Sequence, residues 1–131
     1  MDILIIDDEI RRMNATVQML RADGFSVEQI NSPTKAVKRL ESNPGSCKVI
    51  ILDIMMPPDG EFTQEETDLG LRTGILILDR LQRIQGFNTP IIVLTANVLA
   101  KAELDGRVSI FLEKPVAYAK LKAAISGVFV A

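Results

Sequence analysis

The sequence contains no histidine. That absence removes Ser-His-Asp and Cys-His catalysis, histidine-ligated metals and histidine acid/base chemistry. A single cysteine, Cys47, excludes an intramolecular disulfide and a cysteine-based zinc site, and is read as a semi-buried thiol in a reducing cytoplasm. No run of Lys or Arg stands out, and 15 basic against 17 acidic residues leave a net charge of −2, so electrostatics give no sign of direct nucleic-acid binding. Apolar runs are short and Met1 is followed at once by Asp2, so neither a signal peptide nor a membrane span is expected. Any chemistry here must rest on carboxylates, hydroxyls, lysine or a bound cation.

The 131 residues, 47% apolar and 24% charged, suit one soluble domain with a real core. Short apolar runs alternate with longer amphipathic stretches. Ile3–Ile6 is apolar throughout, the mark of a strand buried on both faces. A helix should follow with Ile10, Met13, Val17 and Leu20 on one face, stopped by Gly24. Phe25–Ile30 reads as a second strand. Ser32-Pro33 offers an N-cap and a proline at the first helical position, with Ala36, Val37 and Leu40 inward. After the turn Asn43-Pro44-Gly45 come a third strand, Lys48–Leu52, and an irregular segment from Pro57 to Thr73. A third helix carries Ile75, Leu78, Leu81 and Ile84 and ends near Gly86. Ile91–Leu94 and Val108–Leu112 are the fourth and fifth strands, and Val116 to about Val128 is the last helix, with Leu121, Ala124, Ile125 and Val128 inward. Strands alternating with helices predict an α/β, doubly wound parallel sheet with helices on both faces.

Polar residues fall at the strand ends. Asp7 and Asp8 follow the first strand, Asp53 ends the third, Thr95 the fourth, and Lys114 follows the fifth. The carboxyl ends of an open parallel sheet form its ligand crevice, so these side chains should converge. Converging aspartates repel and need a cation, and a few hard oxygen ligands open to water suit Mg²⁺. A carboxylate can act as nucleophile toward phosphorus, and phosphoryl transfer needs positioning and charge neutralisation more than acid/base groups.

The blocks Ile5-Ile6-Asp7-Asp8-Glu9, Leu52-Asp53-Ile54-Met55-Met56-Pro57, Thr95-Ala96 and Lys114-Pro115 resemble, in order, the signature blocks of bacterial response-regulator receiver domains. The resemblance implies the flavodoxin-like five-stranded sheet of order 2-1-3-4-5. It implies Asp53 as phosphoacceptor, Asp8 as a direct Mg²⁺ ligand, Asp7 as a ligand mainly through water, and the Met55 carbonyl completing the set. It implies that Thr95 and Lys114 grip the phosphoryl group, and that Phe111 is an aromatic switch moving with Thr95. The Lys114–Pro115 bond is often cis in that family. By the same resemblance, Met55 and Asn97 stand at positions that tune phosphoryl lifetime in that family.

Two departures accompany the resemblance. The segment after Asp53 is about a dozen residues longer than usual, and the insert, roughly Glu61 to Thr73, carries Glu61, Glu65, Glu66, Asp68 and Arg72. It is read either as a lid or partner contact, or as a solvated acidic loop. Thr95 to Lys114 is about three residues short, close to one helical turn, so the fourth helix near Val98–Leu104 should be short or poorly formed. The expected function is that of a cytoplasmic signalling module. A histidine kinase or phosphotransfer protein donates to Asp53, and a conformational switch then controls contact with a downstream protein. The chain is expected to be a monomer or weak homodimer, either standing alone or as a piece of a longer chain. An Asp-nucleophile phosphohydrolase would want a carboxylate where Met55 stands. A pseudo-receiver would not need Asp8, Asp53, Thr95 and Lys114 together, and a flavin module would need a phosphate-cradling loop in place of Asp-Asp-Glu.

Overall fold

A computed structural model describes residues 1–130. The elements run β1 (Ile3–Ile6), α1 (Ile10–Ala22), β2 (Val27–Ile30), α2 (Pro33–Ser42), β3 (Val49–Leu52), α3 (Thr73–Gln82), β4 (Ile91–Thr95), a 3₁₀ turn (Val98–Ala100), α4 (Lys101–Leu104), β5 (Ile110–Glu113) and α5 (Tyr118–Val130). All strand pairs are parallel and the sheet order is β2-β1-β3-β4-β5. The α/β doubly wound expectation therefore holds, with its strand order. The order reverses between β1 and β3, and this switch point opens a crevice at their carboxyl ends.

Continuous apolar strands produce this arrangement because both faces must be covered. On one face, Leu4, Ile6, Ile50, Leu52 and Val93 pack with Ala36, Val37 and Leu40 of α2, Ile75 and Leu78 of α3, and Leu104 of α4. On the other, Ile3, Ile5, Val49, Ile51, Ile92 and Leu94 pack with Met13, Val17 and Leu20 of α1 and Leu121 and Ile125 of α5. Ser32 caps α2 as expected, accepting the Lys35 N–H at 3.1 Å.

Some boundaries differ from the sequence reading. β2 starts at Val27 rather than Phe25, because the Phe25 N–H is spent on the Leu20 carbonyl (3.1 Å) while Gly24 N–H bonds Arg21, a Schellman closure with Gly24 at φ 96°. β5 is shifted to Ile110–Glu113 because its partner β4 begins at Ile91, pairing Ile92 with Ile110. α5 begins after Ala117, whose carbonyl accepts the Lys120 and Leu121 N–H groups. Ile10, expected inward, is 51% exposed: it is the first residue of α1, beyond the edge of the sheet that would cover it. The fourth helix is short, as expected: three residues of 3₁₀ and four of α.

The 57–72 segment lacks helix and strand yet is tied down along its length. Asp59 accepts the Thr34 N–H (3.0 Å) and the Ser32 hydroxyl, so it joins Ser32 at the N-terminus of α2. Phe62 is buried in the core, with the Arg80 guanidinium 5.9 Å from its ring. Thr67 is fully buried, donating to the Thr63 carbonyl (2.8 Å) and accepting the Gly70 N–H (3.1 Å). Asp68, Leu69 and Gly70 then take three successive left-handed conformations. The chain returns to the sheet where Met56 N–H bonds Gly70 (3.2 Å), the Thr73 hydroxyl bonds the Met56 carbonyl (2.6 Å) and Gly74 N–H bonds Ile54 (2.9 Å). Its acidic side chains Glu61, Glu65, Glu66 and Asp68 are exposed, while Phe62 and Thr67 are buried and hold the segment to the fold.

Gly74 lets α3 start against the end of β3: a Cβ there would lie 2.4 Å from the Asp53 carbonyl oxygen and 2.6 Å from the Ile54 Cα. Both neighbours are backbone and cannot step aside. Gly74→Ala is expected to cost about 1–3 kcal/mol, the usual range for overpacking. Urea unfolding reads this directly, and an unchanged midpoint would contradict the close approach.

Candidate functional site

Two ladder hydrogen bonds set the site. Asp7 N–H bonds the Ile30 carbonyl (3.1 Å) and Asp53 N–H bonds the Ile6 carbonyl (3.0 Å), so both backbones continue the sheet by one residue. Their side chains consequently emerge at the carboxyl edge on either side of the switch point. Asp7 and Asp53 are buried, Asp8 is half-buried, and one carboxylate oxygen from each lies within 4.8 Å of the others. Lys114, directly after β5, reaches in from the far side. Its ammonium donates to Asp7 Oδ2 at 2.8 Å and to Asp53 Oδ2 at 2.9 Å. The Lys114–Pro115 bond is cis.

The remaining oxygens are held by backbone. Asp7 Oδ1 accepts the Glu9 N–H (2.8 Å) and Asp53 Oδ1 accepts the Met55 N–H (3.1 Å). Thr95 is fully buried at the end of β4. Its backbone carbonyl accepts the Lys114 N–H (2.9 Å), and its hydroxyl oxygen accepts the Asn97 N–H (3.2 Å). The Asp53, Thr95 and Lys114 trio and the Asp7, Asp8 and Asp53 trio thus occupy one place. Phe111 lies apart from them: it is half-buried in β5, paired with Val93 and packed against the α2–α3–α4 side of the core.

Sequence reasoning passed over several contributors. Gln29 donates its amide to the Asp7 carbonyl (3.2 Å), Glu9 approaches Lys114 to 3.9 Å, and Asp59 and Thr73 anchor the chain leaving Asp53. Gln29 carries no local signal, since its role depends on β1 and β2 being neighbours. Asp59 sits in a Pro-Asp-Gly turn, which conceals a cap made to a helix distant in sequence.

The electrostatics are those of a crowded anionic site. Burial pushes the Asp53 carboxyl above its ordinary range, only partly offset by the Lys114 ammonium, and the Asp7 charge adds to the rise. Asp8 is raised as well, by burial and then by Asp7. Burial alone would lower Lys114, but its hydrogen bonds to Asp7 and Asp53 outweigh it and the net direction is up. Three hard carboxylates that repel one another fit a small divalent cation with oxygen preference. A carboxylate whose folded pKa lies above its unfolded value makes a stabilising contribution at low pH that is lost as pH rises through the folded value. Asp53→Asn removes that loss. In chelator the variant is expected to unfold at higher urea than wild type at pH 7, with the difference narrowing as pH falls toward 3.8, the ordinary aspartate value. A lower midpoint for the variant at pH 7 would show that Asp53 is stabilised, not strained, by its surroundings.

A family model described as the response regulator receiver domain matches residues 3–126. Among solved structures, a response regulator receiver domain protein from Clostridium thermocellum shares 25% identity at a TM-score of 0.75, covering 98% of this chain and 94% of that one. The receiver domain of a sensor histidine kinase from Pseudomonas aeruginosa, solved with a magnesium ion coordinated in its active-site cleft, shares 21% identity at a TM-score of 0.75, over 99% and 98% of the two chains. A response regulator from Thermotoga maritima, in complex with Mg²⁺ and a beryllofluoride group, shares 22% at 0.75, over 98% and 99%. The sheet order, the crevice and the family match agree, and the chain belongs to the response regulator receiver domain family, the signalling modules of two-component systems.

Proposed function

We propose that residues 1–131 form one receiver domain in which Asp53 accepts a phosphoryl group from a phosphohistidine on a histidine kinase or phosphotransfer protein. The observation that carries this reading is the convergence of Asp53 with Asp7, Asp8 and Lys114 at the switch point. An Asp53 oxygen forms the new O–P bond as the N–P bond of the donor breaks, leaving the imidazole with its electron pair. Met55 N–H holds one Asp53 oxygen and aims the carboxylate. Lys114, already bridging Asp7 and Asp53, balances charge that gathers on the phosphoryl oxygens. The Thr95 hydroxyl oxygen accepts from Asn97 while its proton faces the Asp53 carboxylate, from which it would turn to another phosphoryl oxygen. Asp8 directly, Asp7 through water and the Met55 carbonyl would hold Mg²⁺ together with Asp53. Bound there, the cation supplies charge neutralisation to the carboxylates and the transferring group. The magnesium sites of the Pseudomonas and Thermotoga receivers support the choice of metal.

The added charge, about −2 at neutral pH, then draws on Thr95 and biases the segment after β4, with Phe111 following as the switch. Exposed apolar side chains ring this edge: Met55 beside Asp53, Leu69 and Leu71 on the insert, and Val98 and Leu99 on the 3₁₀ turn. Such a rim suits contact with protein partners. Among the described residues no helix is long and apolar enough to cross a membrane.

Incubation with Mg²⁺ and acetyl phosphate is expected to add the mass of one phosphoryl group to the wild-type chain. Asp53→Ala, or chelation of the metal, should abolish the gain in an intact-mass measurement. A wild-type chain that stays unmodified, and whose melting temperature ignores Mg²⁺ and beryllofluoride, would point instead to an interaction module that has lost phosphorylation.

A further inference from the structure

The insert joins the phosphoacceptor loop to the segment that carries Thr95. At its carboxyl end it is fixed to the Asp53 side, through Gly70 and Thr73 on Met56. In the other direction the Leu71 carbonyl accepts the Asn97 side-chain amide at 3.3 Å, and the Arg72 guanidinium grips Glu103 of α4 through two hydrogen bonds, 2.8 and 2.6 Å. Asn97 in turn holds the Thr95 hydroxyl through its own N–H. The segment it governs has little order of its own. A three-residue 3₁₀ turn and a four-residue helix are far below the length at which helix forms unaided, and Leu99 is 89% exposed. Besides the buried Ala100 and Leu104, the insert anchors it through the Leu71 carbonyl and Arg72.

Building on the phosphoacceptor reading, we propose that Arg72 is a positioning residue. With the Leu71 carbonyl it fixes α4 and Asn97 against the Asp53 loop, and so presents the Thr95 hydroxyl to the phosphoryl group. The left-handed run Asp68-Leu69-Gly70 brings the chain to this place; Leu69, at φ 57° and 76% exposed, holds that conformation with little burial in return. A bidentate Arg–carboxylate pair adds direction as well as attraction, which distinguishes it from a scattered surface ion pair.

The test is the rate of Asp53 phosphorylation by acetyl phosphate at saturating Mg²⁺, a donor that needs no partner protein. Arg72→Ala and Glu103→Ala are each expected to slow it about two- to fivefold, the upper span of an exposed ion pair. The double variant should be no slower than either single one. The reversed pair, Arg72→Glu with Glu103→Arg, should recover at least half of the loss. Mg²⁺ affinity by calorimetry and the melting temperature should stay near wild type, since both residues are half-exposed and touch no carboxylate of the site. In a Thr95→Ala background, Arg72→Ala should make no further difference, because its effect runs through that hydroxyl. Full multiplication of the two losses, or single variants within twofold of wild type, would overturn the proposal while leaving Asp53 as phosphoacceptor. A wild-type chain that gains no phosphoryl group overturns both.

Discussion

The ammonium of Lys114 between Asp7 and Asp53 is the contact on which the site depends. Carboxylate oxygens within 4.8 Å of each other repel by about 3–4 kcal/mol per pair at the effective dielectric of a protein edge. No arrangement of backbone donors alone would hold three of them at the rim of a buried sheet. Lys114 relieves two of the three at once and is itself held in the charged form by them, against the cost of its burial. The balance remains incomplete: Asp53 and Asp8 both sit above the ordinary aspartate range. Three carboxylates with one ammonium between two of them keep an excess of negative charge, a donor set that fits a small cation.

The sheet makes this possible because it fixes backbones, not side chains. Asp7, Asp53 and Lys114 each donate a main-chain N–H or follow a residue that does, within one position of a strand end. Their Cα atoms therefore inherit the rigidity of the β1–β3–β4–β5 ladder. The polar tips are then tuned by short-range bonds from Glu9, Met55 and Asn97. Rigid scaffold and adjustable tips are separate layers: the ladder fixes the backbone, and the short side-chain bonds set the carboxylate and hydroxyl oxygens.

Most of the fold and the central residues were legible because they rest on periodic or punctuating signals. Ile3–Ile6 and Ile91–Leu94 are apolar throughout, and such runs read as buried strands whatever surrounds them. The positions of Asp7, Asp8, Asp53, Thr95 and Lys114 followed from strand ends, once a parallel sheet was inferred. The boundaries that moved did so through hydrogen bonds between residues distant in pattern. Phe25 was claimed by a helix cap, and the span of β5 was set by its partner strand. Ile10 is apolar and at helical spacing, yet it lies beyond the sheet, and periodicity carries no information about where a sheet stops. The insert was the least legible element. Its polar anchors are the Asp59 carboxylate and the Thr67 and Thr73 hydroxyls, residue types that look the same in a solvated loop.

That illegibility has a physical origin which also explains how such an insert is tolerated. Lengthening a loop costs little closure entropy, because the cost grows only with the logarithm of its length. A dozen extra residues can enter between β3 and α3 without disturbing either, provided the ends meet as before. Here the ends do more than meet: Gly74 presses against the Asp53 carbonyl, and Met56 is bonded on both its N–H and its carbonyl by the returning chain. An insert placed elsewhere on the surface could vary freely. One that begins eight residues after the aspartate and ends on the same loop cannot change shape without passing the change to that loop. Its placement in the chain, more than its acidic composition, ties it to whatever happens at Asp53.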